Sequence, residues 1–86
     1  MYRVELSREA ERFFERCEKA VFKKLSRCFE ALERKPRAGN NIKALKGRFS
    51  GSYRYRLGDL RVIYTVNDRE VVVYVIAIAK RSDVYE

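Results

Sequence analysis

Apolar and polar residues alternate along this chain with two different periods, and the switches between them mark its elements. YRVEL, residues 2–6, alternates at every second position as a half-buried strand does. Ser7 follows as an N-cap, with Glu9 and Glu11 where the positive end of a helix dipole favours carboxylates. Apolar residues then recur at Ala10, Phe13, Phe14, Cys17, Val21, Leu25, Cys28, Phe29 and Leu32, three or four apart, until Pro36 ends the pattern. The spacing predicts helix. One straight helix over residues 8–35 would be about 42 Å long at 1.5 Å per residue, whereas a globule of this size is about 30 Å across. The run must therefore fold back, and its least apolar point, Glu18–Lys19, is where the break is expected.

Beyond Pro36 the period drops to two. RAGNN, residues 37–41, reads as a loop, and IKALKGRFSGS holds a possible short strand followed by a bend punctuated by Gly and Ser. Three strands follow, at residues 53–57, 60–66 and roughly 70–79. Gly58–Asp59 suits a two-residue type II′ turn, whose first central position needs positive φ, and Asn67, Asp68 and Arg69 supply the second connection. VVVYVIAIA in the last strand is apolar on both faces, which marks it as central and covered by the helices on one side. The expected class is α+β, a helical hairpin packed on a mostly antiparallel four-stranded sheet in the order β-α-α-β-β-β, as one domain over residues 1–86.

Composition agrees and narrows the function. Eighty-six residues suffice for one core and not two, and 47% apolar with 37% charged residues gives a buried core under an ionic surface. The longest apolar run is about half of the ~20 residues a membrane span needs. No segment resembles a signal peptide, so a cytoplasmic protein is expected. Cys17 and Cys28 fall in the helical apolar pattern and read as ordinary buried thiols; without histidine the usual zinc sets cannot form. The absence of Gln, His and Trp beside abundant Arg, Lys and Glu points to a thermophile. The net charge is +8, and residues 37–61 carry seven cations (Arg37, Lys43, Lys46, Arg48, Arg54, Arg56, Arg61) against Asp59. Clustered charge of this kind suits a polyanion, nucleic acid before membrane, since the cluster lacks an amphipathic helix.

Within that cluster SYRYRLGDLRVIY is the informative stretch. A two-residue turn sets Leu57 opposite Leu60, Arg56 opposite Arg61, Tyr55 opposite Val62 and Arg54 opposite Ile63. Arg54, Arg56 and Arg61 then share one face, and Tyr53, Tyr55, Leu57, Val62 and Tyr64 the other. Facing arginines oppose folding by about 1 kcal/mol. They can simply wet an outer face, or they can grip phosphate oxygens in pairs, which would cancel the repulsion. Lys80 and Arg81 add charge at the end of the last strand, with Tyr85 just beyond in a segment too polar for core. A tyrosine beside a basic cleft can stack on a base.

YRYRLGDLRVIYTV, followed by a turn and VVVYVIAIAKRSDVYE and preceded by a strand and helical hairpin, resembles the RelE branch of the RelE/ParE toxin superfamily over essentially the whole chain. The resemblance implies a ribosome-dependent endoribonuclease that cuts messenger RNA in the A site and is neutralised by a cognate antitoxin. It implies a metal-free reaction needing no cofactor, in which the 2′-hydroxyl attacks the adjacent phosphate to leave a 2′,3′-cyclic phosphate and a 5′-hydroxyl. The positions that match its active site are Arg54, Arg56, Arg61, Arg81 and Tyr85. Arg56 and Arg61 would stabilise charge on phosphorus, Arg81 would lie near the leaving group, and Tyr85 would stack on or orient substrate. Lys43, Lys46, Arg48 and Lys80 are the further RNA-binding candidates. Known members carry lysine where this chain has Arg54 and Arg56, and arginine is a poor general base. Two other readings stand beside this one: a ParE-like inhibitor of DNA gyrase, and a catalytically silent module that binds RNA or antitoxin.

Overall fold

Over residues 1–80, the part of the chain that the computed structural model describes, the elements run β1 (Arg3–Leu6), α1 (Arg8–Arg16), α2 (Lys19–Arg34), β2 (Ile42–Ala44), a 3₁₀ turn (Gly47–Phe49), β3 (Ser52–Leu57), β4 (Leu60–Asn67) and β5 (Val72–Lys80). The Ser7 hydroxyl starts α1 by accepting from the Ala10 N–H at 3.1 Å. The helical run breaks at Cys17 and Glu18, both in extended conformation without glycine or proline. Tertiary packing fixes the break. Phe14 of α1 stacks on Phe22 at 4.5 Å between ring centroids and meets Phe29 edge-on at 5.3 Å, so two turns of α2 close on one residue of α1. The far end of α2 returns to the start of the sheet, where the Tyr2 N–H donates to the Glu33 carbonyl.

The sheet order is β1-β5-β4-β3-β2, with β1 parallel to β5 and every other pairing antiparallel. This is the expected α+β arrangement with five strands instead of four. Ile42–Ala44 pairs with Tyr53–Tyr55 of β3, and three residues are too few for periodicity to separate a strand from a loop. The helices cover one face. Leu25, Cys28 and Leu32 of α2 and Ala10 of α1 pack on Val62, Tyr64, Val73, Val75 and Ile78, all buried. The Tyr64 hydroxyl is satisfied inside this core, donating to the Pro36 carbonyl at 2.6 Å. Cys28 is a buried free thiol whose pKa burial pushes up to about 12, and Cys17, also free, is half-buried.

A β-bulge decides what β5 shows to each side. Ile63 pairs with Ala77 but Tyr64 pairs with Val75, so Ile76 is the extra residue. Without it, Ala77 and Ala79 would follow Val73 and Val75 into the core. With it, Ile78 enters the core, and small Ala77 and Ala79 lie opposite Ile63 and Arg61 on the other face.

Candidate functional site

The β3–β4 hairpin closes through Gly58 at φ 63 and Asp59, the two-residue turn that the register requires. Its pairs are Leu57 with Leu60, Arg56 with Arg61, Tyr55 with Val62 and Arg54 with Ile63, as the turn dictates. Arg54, Arg56 and Arg61 therefore point away from the helices, while Tyr53, Tyr55 and Leu57 pack against the core cluster. Lys43 of β2 pairs with Arg54 and joins the same face.

The three arginines differ in environment. Arg56 is exposed, Arg54 is half-buried, and Arg61 is only 3% exposed. The Arg61 Nη1 donates to the carbonyls of Gly58 at 2.9 Å and Leu60 at 3.0 Å. The hairpin tip thus holds the guanidinium with carbonyl dipoles, which fixes its plane and offsets part of the repulsion from Arg56 across the pair. Burial of this cation was not visible in the strand period, which places it on the outer face with the other two.

The other charges divide. Arg48 lies in the 3₁₀ turn with its guanidinium 6.0 Å from the Phe49 ring centroid, and Lys46 caps that turn. Lys80 pairs with Leu60 and so extends on the helix side of the sheet, away from the arginine face. Arg81 and Tyr85 lie outside the described residues. Arg37, part of the basic run in sequence, is occupied elsewhere. Its Nη1 and Nη2 donate to both Asp68 oxygens at 3.0 and 2.8 Å, its Nε donates to the Tyr53 hydroxyl, and the Tyr2 hydroxyl donates to the same carboxylate at 2.7 Å. These bonds hold the Asp68 carboxyl below the usual range, through Arg37 first and Tyr2 second, and raise Arg37. This is a fork on an aspartate that fastens the loop after α2 to the β4–β5 turn.

Beside the arginine face runs a groove of about 630 Å³. Ile63, Ala77 and Ala79 floor it next to Arg54 and Arg61, Leu45 and Phe49 wall one side, and Phe13 of α1 walls the other. Sequence reasoning passed over this feature. Its one local signal is Phe49, an aromatic set among Gly47, Ser50 and Gly51 where no periodicity calls for one. Among the described residues no cluster of His, Cys, Asp and Glu could hold a metal ion, and no helix is long and apolar enough to cross a membrane.

Comparison with known proteins adds the following. The family described as ParE toxin of type II toxin-antitoxin system, parDE, matches residues 4–85. The archaeal RelE–RelB complex from Pyrococcus horikoshii OT3 contains a chain of the same fold at 28% identity and TM-score 0.81, with 96% of this chain and 98% of that one covered. The isolated E. coli RelE toxin superposes at TM-score 0.79 and 26% identity over 93% of this chain and 84% of its own. A chain of the intact E. coli RelBE toxin-antitoxin complex gives 0.76 and 25% over 93% and 96%. No curated protein matches the sequence.

Proposed function

From the membership of this chain in the ParE toxin family of type II toxin–antitoxin systems, we propose that it works as the RelE-like kind of toxin, a ribosome-dependent endoribonuclease that cuts messenger RNA in the A site. The observation that carries this reading is the presentation of Arg54, Arg56 and Arg61 by one hairpin on the sheet face opposite α1 and α2. Fixed positive charge on one surface, with the planar donors of Arg61 within it, fits a phosphate undergoing attack, whose extra negative charge it stabilises.

In the reaction the 2′-oxygen forms a bond to phosphorus as the bond to the 5′-oxygen breaks. The 2′-hydroxyl proton must leave, and the departing 5′-oxygen must gain one. Arg61, pinned by the hairpin tip, is the rigid donor to the non-bridging oxygens. Arg56, exposed across the pair, completes the clamp, and Arg54 with Lys43 holds the neighbouring phosphate. Arg81 serves the leaving oxygen and Tyr85 orients the substrate. Arginine at Arg54 and Arg56 makes poor base chemistry, so this chain relies on orientation and electrostatics, with ribosomal RNA or Tyr85 taking the proton. Lys46, Arg48 and Lys80 contribute general attraction to RNA. An antitoxin, as in the E. coli RelBE toxin-antitoxin complex, keeps the toxin silent in the cytoplasm.

The name of the matching family favours a second reading, in which the chain inhibits DNA gyrase and cuts nothing. One experiment separates them. Primer extension on a message translated with and without the purified protein should show new ends inside the reading frame, naked RNA should stay largely intact, and DNA supercoiling by gyrase should be unaffected. Uncut message with inhibited gyrase would replace the first reading by the second, and efficient cleavage of naked RNA would remove the ribosome from it.

A further inference from the structure

The sheet face that carries the arginines runs in rows across β3, β4 and β5. Arg56, Arg61 and Ala79 form one row, Arg54, Ile63 and Ala77 the next, and Ser52, Thr65 and Tyr74 a third, which Glu5 of β1 extends. Neighbouring rows on one face are about 7 Å apart and neighbouring strands about 4.8 Å. Cations therefore stand on β3 and β4, two alanines lie beside them on β5, and Tyr74 stands one row further on, about 12 Å from Arg54 by these spacings.

The bulge makes this arrangement. Val73 and Val75 enter the core, so Tyr74 between them faces outward. Regular alternation would send Ile76 and Ile78 outward after it, and two branched side chains would crowd both the ring and the cations. With Ile76 as the extra residue, Ile78 packs inward and only the methyl groups of Ala77 and Ala79 rise beside the arginines. Tyr74 and Phe22 are the exposed aromatics among the described residues, at 42% and 45%. Phe22 belongs to α2, where it is stacked on Phe14; Tyr74 is the one on the arginine face. The residues across from it on β4 and β3, Thr65 and Ser52, are short, and Glu5, opposite it on β1, is paired with Arg3 at 2.9 Å. Neither bulk nor unpaired negative charge from these neighbours keeps a nucleotide away.

We propose that Tyr74 is a stacking platform for a base of the message, so that one single strand lies along the sheet with phosphates on the arginines and a base on this ring. The inference rests on the RNA reading above and adds a substrate-binding residue to it. A nucleotide offers a charged phosphate and a planar apolar base, and this face presents the complement of each: guanidinium groups in two rows and an open aromatic ring in the third. Phosphate contacts position a strand whatever its bases. Stacking is likewise tolerant of sequence, because every base has a π face. Tyr74 thus sets where the strand lies and how tightly it is held, a few nucleotides from the phosphate under attack, and does not choose the codon.

The chain has no tryptophan, so Tyr74→Trp introduces a single fluorescent reporter at the site. At low salt, where phosphate contacts are strongest, a short 2′-O-methyl RNA oligonucleotide that cannot be cut should quench its emission ~2-fold or more by stacking. The same sugar-phosphate chain without bases should bind and leave the emission unchanged, and Phe22→Trp, on the helix side, should respond to neither. On programmed ribosomes, Tyr74→Ala should need ~10-fold more protein for half-maximal cleavage, with a much smaller change in the single-turnover rate at saturation, and Tyr74→Phe, which keeps the ring, should match the wild type. An oligonucleotide that fails to bind, or binds without quenching, overturns the proposal, as does equal quenching by the chain without bases or a Tyr74→Ala protein that cleaves like the wild type. Quenching by the purified product of the adjoining small gene and not by RNA overturns it in favour of a protein on this face. Wild-type protein that leaves the message whole on ribosomes refutes the ribonuclease reading alone, and quenching by the oligonucleotide then still supports stacking of RNA on Tyr74.

Discussion

Arg61→Lys tests whether a guanidinium plane, and not merely a positive charge, is needed on the hairpin. Arginine spreads its charge over three nitrogens, and Nη1 is held by the Gly58 and Leu60 carbonyls. Lysine has one nitrogen, and whichever place it takes, it cannot both anchor at the tip and direct paired donors at a phosphate. Two consequences separate on measurement. If the ammonium keeps one of the two carbonyl bonds, the loss is about 1 kcal/mol of stability, or about 4–8 °C in Tm for a domain of this size. Single-turnover cleavage on programmed ribosomes, at saturating protein and at a temperature where both proteins are folded, should fall by ~10-fold or more, about 1.4 kcal/mol of transition-state stabilisation. Message binding should change much less. A variant with the lowered Tm but full cleavage rate would mean that Arg61 merely braces the turn, and the proposed role would be wrong.

Replacing Arg54 and Arg56 together by lysine keeps the charge on this face, so cleavage in the same assay should persist or rise; a dead double variant would show that their planar donors matter. Tyr64→Phe removes a buried bond and strands the Pro36 carbonyl, which should cost about 1–3 kcal/mol in urea unfolding without altering cleavage by the folded fraction. The Asp68 carboxyl is held down by Arg37 and Tyr2, so its contribution is complete above the unfolded value of about 3.9 and fades as pH falls through the lower folded value. The Tm gap between wild type and Asp68→Asn should thus be constant near neutrality and close in acid; a gap independent of pH would mean that the carboxylate's charge is not what binds Arg37. Cys17, half-buried, should react with iodoacetamide well before Cys28, whose burial holds the thiol protonated; equal rates in the folded protein would contradict the packing of α2.

The features legible in the sequence are those decided by neighbours along the chain. Ser7 and the three-to-four spacing after it specify a helix start, and a Gly-Asp turn two residues long leaves only one register for the hairpin, so Arg54, Arg56 and Arg61 were bound to share a face once that turn closed. The break between α1 and α2 was legible too, through the length that a globule allows, because its extents are 33 × 27 × 25 Å. What only the tertiary structure decided depends on residues far apart. Arg37 leaves the basic cluster because Asp68, 31 positions away, arrives beside it with Tyr2. The parallel pairing of β1 with β5 joins the two ends of the described chain and runs only from Val72 to Val75 of β5. The bulge at Ile76 reverses the alternation of β5 and sends Ile78 to the core. Strand period is a local rule, and it holds only until a distant partner imposes a different spacing. Arg61 shows both levels at once: the turn chose its face, and carbonyls gathered at the folded tip buried its charge.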